Sequence, residues 1–225
     1  MSAKSELVLF GGEKGWKPAE WTASDDRVRG GKSQSFLDCQ GTIALFRGHL
    51  DIHTLGGAGF ASQRTVAESS VWDLSNYSGI QITILPVPPT GEKRQPNKYT
   101  FILKDELLER NPDNAREQAT VSYEYDFVVD EGEEGVGKER VVVCIPWGKL
   151  KATYRGKEKK DARELDVRRI RRFSIMMRSF FGEQEGGFSL TIENIKALKL
   201  SEDLEKGLLS NEEGALSGCG PKVSL

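Results

Sequence analysis

Apolar residues recur at every second position in seven short stretches of this chain, separated by turn-forming residues: 43–52, 79–85, 98–104, 121–129, 140–147, 172–181 and 187–200. A period of two, carried by Ile, Val, Phe and Tyr, predicts β-strands with one buried face. In residues 121–127 the parity sets Val121, Tyr123, Tyr125 and Phe127 on one face and Ser122, Glu124 and Asp126 on the other. Helical periodicity is scarce. Residues 105–118 predict at most one turn before Pro112, and residues 202–209 a short terminal helix. Strand and helix do not alternate, so the pattern predicts an all-β fold, an antiparallel sandwich with long loops. Pro, Gly and charge mark loops at 86–97 and 130–139. Residues 1–200 are expected to form a single domain, and 201–225 an acidic, Gly/Ser-rich tail.

Composition narrows the class. Hydrophobic residues at 37% and charged residues at 29% describe a globular chain with a well-solvated surface. No apolar run approaches the roughly 20 residues that span a bilayer. A formal net charge of -2 excludes a chain that is basic throughout, as many nucleic-acid binders are, but leaves room for a local patch. Cys39, Cys144 and Cys219 lie far apart and form no C-x-x-C pair, which points to reduced thiols in an intracellular compartment. The first ten residues show neither a secretory signal nor an Arg-rich presequence, a pattern expected of a cytosolic protein.

Candidate chemistry is sparse. Gly56-Gly-Ala-Gly-Phe-Ala-Ser62 lacks the third glycine and the following helix of a dinucleotide-binding loop and predicts a turn. His49 and His53 could share a metal ion on a helix, but on a strand four residues span about 13 Å. Glu183 and Glu185 lack the spacing of a calcium loop. No nucleophile motif is present, so no catalytic residue, metal or cofactor is expected. Asp25, Asp26, Arg27, Arg29, Gly30 and Gly31 predict a structural corner whose aspartates cap backbone amides and pair with arginine. Trp16, Trp21, Trp72 and Trp147 would offer stacking platforms for sugars if exposed; strand aromatics more often enter the core. Residues 149–178 hold twelve basic side chains against four acidic ones. Arg168, Arg169, Arg171 and Arg172 are its densest cluster, a candidate partner-binding surface or a solvated loop facing the acidic 130–139 segment.

Several segments occur in the order found in one known family. They are residues 24–33 (SDDRVRGGKS), 46–50 (FRGHL), 59–62 (GFAS), 73–80 (DLSNYSGI), 143–147 (VCIPW) and 187–195 (GFSLTIENI). Together they span about residues 16–200, and the chain resembles the complex I intermediate-associated protein 30 family. The resemblance implies a galactose-binding-domain-like β-sandwich of the jelly-roll kind. It also implies a chaperone-like role in assembling mitochondrial NADH:ubiquinone oxidoreductase, with no catalytic residues to transfer. The leading expectation is thus a protein-binding assembly factor, mitochondrial by resemblance. A cytosolic paralogue with another client, a lectin-like carbohydrate-binding module, and nucleic-acid binding through Arg168 to Arg172 are the alternatives.

Overall fold

The computed structural model describes residues 5–66, 70–86, 96–129, 140–200 and 207–208. Thirteen strands carry the fold: β1 (Glu6–Gly11), β2 (Trp21–Ala23), β3 (Gln34–Gln40), β4 (Ile43–Leu50), β5 (Phe60–Thr65), β6 (Gly79–Leu85), β7 (Lys98–Lys104), β8 (Ser122–Val128), β9 (Val141–Pro146), β10 (Lys151–Tyr154), β11 (Lys157–Glu158), β12 (Arg172–Arg178) and β13 (Gly186–Leu198). They form two antiparallel sheets. One runs β3-β4-β13-β6-β9, with β1 also on β13; the other runs β11-β10-β8-β7-β12-β5-β2.

The core lies between them, where Phe46, Ile82, Ile84 and Ile192 of the first sheet face Tyr99, Phe101, Phe173 and Ile175 of the second. Strand β13 keeps its apolar residues inward over thirteen positions by changing parity once. Leu190 and Ile192 are buried before a bulge, Ile195 and Ala197 after it. One extra residue flips every later side chain, so the bulge restores the burial that a regular strand would lose.

All seven predicted strands are present. The stretch 172–181 ends early, at Arg178, because Phe180 and Phe181 turn into the left-handed region (φ 47° and 62°). The turn expected within 105–118 does not become a helix. Asp105 instead accepts a bidentate pair of hydrogen bonds from Arg163 and a third from the Asp166 amide, and Asn111 and Asn114 close side-chain turns around Pro112. The loops expected at 86–97 and 130–139, the terminal helix, the tail and Cys219 lie outside the described residues, apart from Pro86, Pro96, Asn97, Gly207 and Leu208. Cys39 and Cys144 form no disulfide among the described residues.

Asp25 and Asp26 tie the sheets together at one edge. Both are buried, Asp26 completely. Asp25 accepts from the Ser35 amide (3.0 Å) and hydroxyl (2.6 Å) on β3, and from the Ser62 amide (2.8 Å) on β5. Asp26 accepts from the Ser33 amide (3.0 Å) and the Phe60 amide (3.1 Å). The capping role expected of the pair is present. The expected arginine pairing is not: Arg27 and Arg29 are exposed, and neither reaches the aspartates among the described residues. Backbone amides of two sheets supply the donors instead. The glycines fit this reading, since a Cβ on Gly31 would lie 2.2 Å from Asp26 Oδ1, and Gly30 sits at φ +84°.

Asp26→Ala should lower the unfolding free energy by about 1–3 kcal/mol, because it orphans buried amides. Gly31→Ala should destabilise through the clash with the same carboxylate, while exposed Arg27→Ala should stay within about 0.5 kcal/mol of the native protein. Urea denaturation of the three variants checks this.

Candidate functional site

Strand alternation gives the seven-stranded sheet a second face, turned away from the core. From β12 it presents Arg172, Ser174, Met176 and Arg178; β5 adds Ser62 and Arg64, β7 adds Thr100, Ile102 and Lys104, and β8 adds Ser122, Glu124 and Asp126. All of these but Thr100 and Asp126 floor a groove of about 670 Å³. One wall is Glu117, Ala119 and Thr120 from the irregular chain before β8, a second is Arg155 and Gly156, and Phe180 and Phe181 stand at the rim.

The groove has two electrostatic halves. At one end the Arg172 guanidinium is buried against Glu117, and Arg64 reaches the same carboxylate at 3.4 Å. Lys104 donates to the Thr120 hydroxyl at 3.1 Å. Burial pulls the Lys104 ammonium below its ordinary pKa; Glu117 opposes that shift, and the Arg172 and Arg64 charges add to it. Two of these cations thus hold one carboxylate, with Lys104 beside them, and Glu124 also opposes the shift on Lys104. At the other end Arg178 pairs with Glu124 (2.6 Å) and Asp126 (3.4 Å), and its Nε donates to Thr100 (2.9 Å). There Glu124 and Asp126 flank Arg178, and Arg29 lies over the ring of Phe60 on the neighbouring strand.

Phe181 is 89% exposed. It and Phe180 both hold left-handed backbone, which is unfavourable for bulky residues. Ser179 fixes the turn: its hydroxyl donates to the Gly57 carbonyl (2.7 Å) and accepts from the Gly59 amide (3.0 Å). Arg178 and Lys98 lie over the Phe180 ring. An exposed aromatic held in strained backbone beside a groove is a feature that packing does not require.

The residues singled out from sequence are distributed unevenly. Arg172 lies inside the groove at 3% exposure, so it is not part of an exposed cluster. The Arg171 side chain donates to the Ser70 carbonyl, and only Arg168 and Arg169 of the four are fully exposed. Arg163 and Arg178, also from the basic segment, are held by acidic partners, so much of that segment is structural. Trp16 and Trp21 are buried, and Trp72 and Trp147 pack on the core, which removes them as sugar platforms. The Gly56–Ser62 stretch is a turn leading into β5. His49 lies on β4; His53 follows it in a turn and meets Glu185 at 3.2 Å, an exposed contact. Among the described residues no three His, Cys, Asp or Glu side chains gather as metal ligands. Sequence reasoning passed over Arg64, Lys104, Glu117 and Phe181. The polar run of β5 hid Arg64, and Phe181 looked like the continuation of a strand.

Phe181→Gly should stabilise the fold by about 1 kcal/mol, because glycine takes left-handed backbone without the steric penalty of a side chain. Arg172→Ala should destabilise it, since Glu117 and the groove floor lose a buried partner. Thermal and urea unfolding of the two variants give the opposite signs.

Comparison with known proteins places this geometry. Family 11 carbohydrate-binding modules of Clostridium thermocellum share the fold. One, in complex with a β-1,3-1,4-mixed-linked tetrasaccharide, superimposes with a TM-score of 0.55 at 15% identity, covering 89% of this chain and 99% of the module. Another, from the cellulosomal cellulase Lic26A-Cel5E, gives 0.54 at 14% identity, covering 88% of this chain and 97% of the module. In sequence, an uncharacterized protein of Schizosaccharomyces pombe is 41% identical over 215 residues, 93% of this chain and 92% of the relative. The family described as Complex I intermediate-associated protein 30 matches residues 8–192, which include both aspartates of the sheet clamp and every strand of the groove. The chain belongs to the Complex I intermediate-associated protein 30 family.

Proposed function

We propose that this protein is a non-catalytic assembly factor that holds a protein client in the groove of its seven-stranded sheet. Family membership supports an intermediate of complex I as the client, and a mitochondrial site of action would go with such a client. The observation that carries the reading is the groove itself: opposed charged ends, an apolar floor at Ile102 and Met176, and an exposed Phe181 at the rim. Aromatic and arginine side chains around a desolvated cleft suit recognition of a polypeptide. Arg64 and Arg172 pair with Glu117, and Arg178 with Glu124, so these charges shape a surface. Arg168 and Arg169, exposed just before Arg172, add positive charge that would speed association with an acidic client.

A saccharide is the competing ligand, because a module of the same fold is known in complex with a tetrasaccharide. The four tryptophans weigh against it, since all pack on the core.

A photo-cross-linking residue at Met176 should form adducts with a complex I protein in extracts of the native organism, and one at Phe36, on the opposite sheet, should not. Binding of the mixed-linkage tetrasaccharide by calorimetry, with no adduct from Met176, would overturn the proposal. Phe181→Gly should weaken capture several-fold while the fold gains stability. The double reversal Arg168→Glu, Arg169→Glu should leave stability within about 0.5 kcal/mol and slow capture, with a smaller difference at high salt.

A further inference from the structure

We infer that Arg64, Lys104 and Arg172 form a receptor for one carboxylate of the client, and that Glu117 is the chain's own occupant of that receptor. The inference rests on the assembly-factor reading and names the chemistry that the groove would recognise. Three cations converge on the sheet where the strand register sets Arg172 beside Lys104 and Arg64 beside Ser174. A single acidic side chain, Glu117, meets two of them. Donors outnumber acceptors: Arg64 Nε is buried and meets no acceptor among the described residues, and the Lys104 ammonium has three protons for the Thr120 hydroxyl. Burying several cations together is unfavourable unless anions complete the set. A client carboxylate seated among all three cations, where Glu117 meets only two, would do so and would also oppose the desolvation that acts on Lys104.

Three features select a carboxylate of a peptide over other anions. The receptor already holds a carboxylate, in the form of Glu117, and guanidinium forks match that planar group. Farther along the groove Glu124 stands on the floor beside Ile102 and pairs with Arg178, so a uniformly negative polymer such as a nucleic acid would meet a carboxylate there. Between the two ends the floor is apolar at Ile102 and Met176. From Arg172 to Arg178 the groove follows six residue steps of β12, about 20 Å, which an extended segment of about six residues would fill. Glu117 belongs to an exposed stretch, residues 112–118, whose other hydrogen bonds stay local, within residues 109–118, so its carboxylate can give way at little loss of packing.

The test uses the full chain and acetate, with chloride as the balancing anion at constant ionic strength. Glu117→Gln should melt below the native protein in chloride and recover with acetate, at concentrations that leave the native protein unmoved. The double variant Glu117→Gln, Arg64→Gln should not recover. No recovery of the single variant, or equal recovery of the double variant, would overturn the receptor. Inorganic phosphate and trigalacturonate form parallel arms: recovery at tenfold lower concentration of either than of acetate would overturn the peptide carboxylate in favour of a phosphate or an acidic saccharide. With the cross-linker at Met176, Glu117→Gln should raise the yield of client adduct several-fold and Arg64→Gln should lower it roughly tenfold. Adducts in the native protein that neither variant changes would sink the receptor and leave the assembly-factor reading standing; acetate recovery without adducts would do the reverse. Should Glu117→Gln not fold, Arg64→Gln decides alone, since it keeps the Arg172–Glu117 pair: a tenfold loss of adduct supports the receptor, and an unchanged yield overturns it.

Discussion

Two carboxylates, Asp25 and Asp26, close the open edge of the sandwich, and much of the remaining geometry depends on where they sit. A sheet edge presents unpaired amides, and a buried amide without an acceptor is expensive. Strand β2 is short and pairs with β5 only from Gln63 to Thr65, which leaves the amides of Phe60 and Ser62 open. The aspartates accept them, and with their other oxygens or hydrogen bonds accept Ser33 and Ser35 at β3. One short segment thereby fixes the distance between the sheets at this edge. The hydroxyl of Ser35 extends the same network, donating to Asp25 and accepting from the Gln63 amide.

The clamp also bears on the groove. Strand β5 carries Ser62 and Arg64 on its outward face, so anchoring it at Phe60 and Ser62 sets where Arg64 stands beside Ser174 of β12. The loop before β5 approaches the turn after β12 through Ser179, whose hydroxyl links Gly57 and Gly59. That link holds Phe180 and Phe181 in left-handed backbone at the rim. The sheet clamp, the cationic end and the aromatic rim are therefore connected through one strand, and the groove gains precision from the rigidity of the strands that carry it.

The groove illustrates how a chain of net charge -2 can hold a locally positive site. Of the basic residues between 149 and 178, Arg163, Arg172 and Arg178 are committed to acidic partners distant in sequence: Asp105, Glu117 and Glu124. The excess that remains in the groove comes partly from Arg64 and Lys104, which lie outside the basic segment altogether. Sequence clustering and spatial clustering of charge are different quantities here, because alternate positions on neighbouring strands bring together residues tens of positions apart.

Residue pattern alone determined the sandwich class and seven of its strands, because a period of two reports directly which face is buried. The other six described strands escaped it, β3 and β5 among them. The inward positions of these two include Ser35, Gln63 and Thr65, polar groups satisfied in the interior by partners across the sandwich for Ser35 and Gln63 and by the Phe173 amide of the neighbouring β12 for Thr65. The aspartate-glycine corner was legible as a structural motif, since paired aspartates before paired glycines announce capped amides in tight backbone. That the amides belong to two different sheets, and that no arginine joins them, was decided by tertiary structure. So was the site. Arg64, Lys104, Arg172 and Glu117 carry no local pattern, and only the register of β5, β7 and β12, with the irregular chain laid beside them, brings their charges into one place.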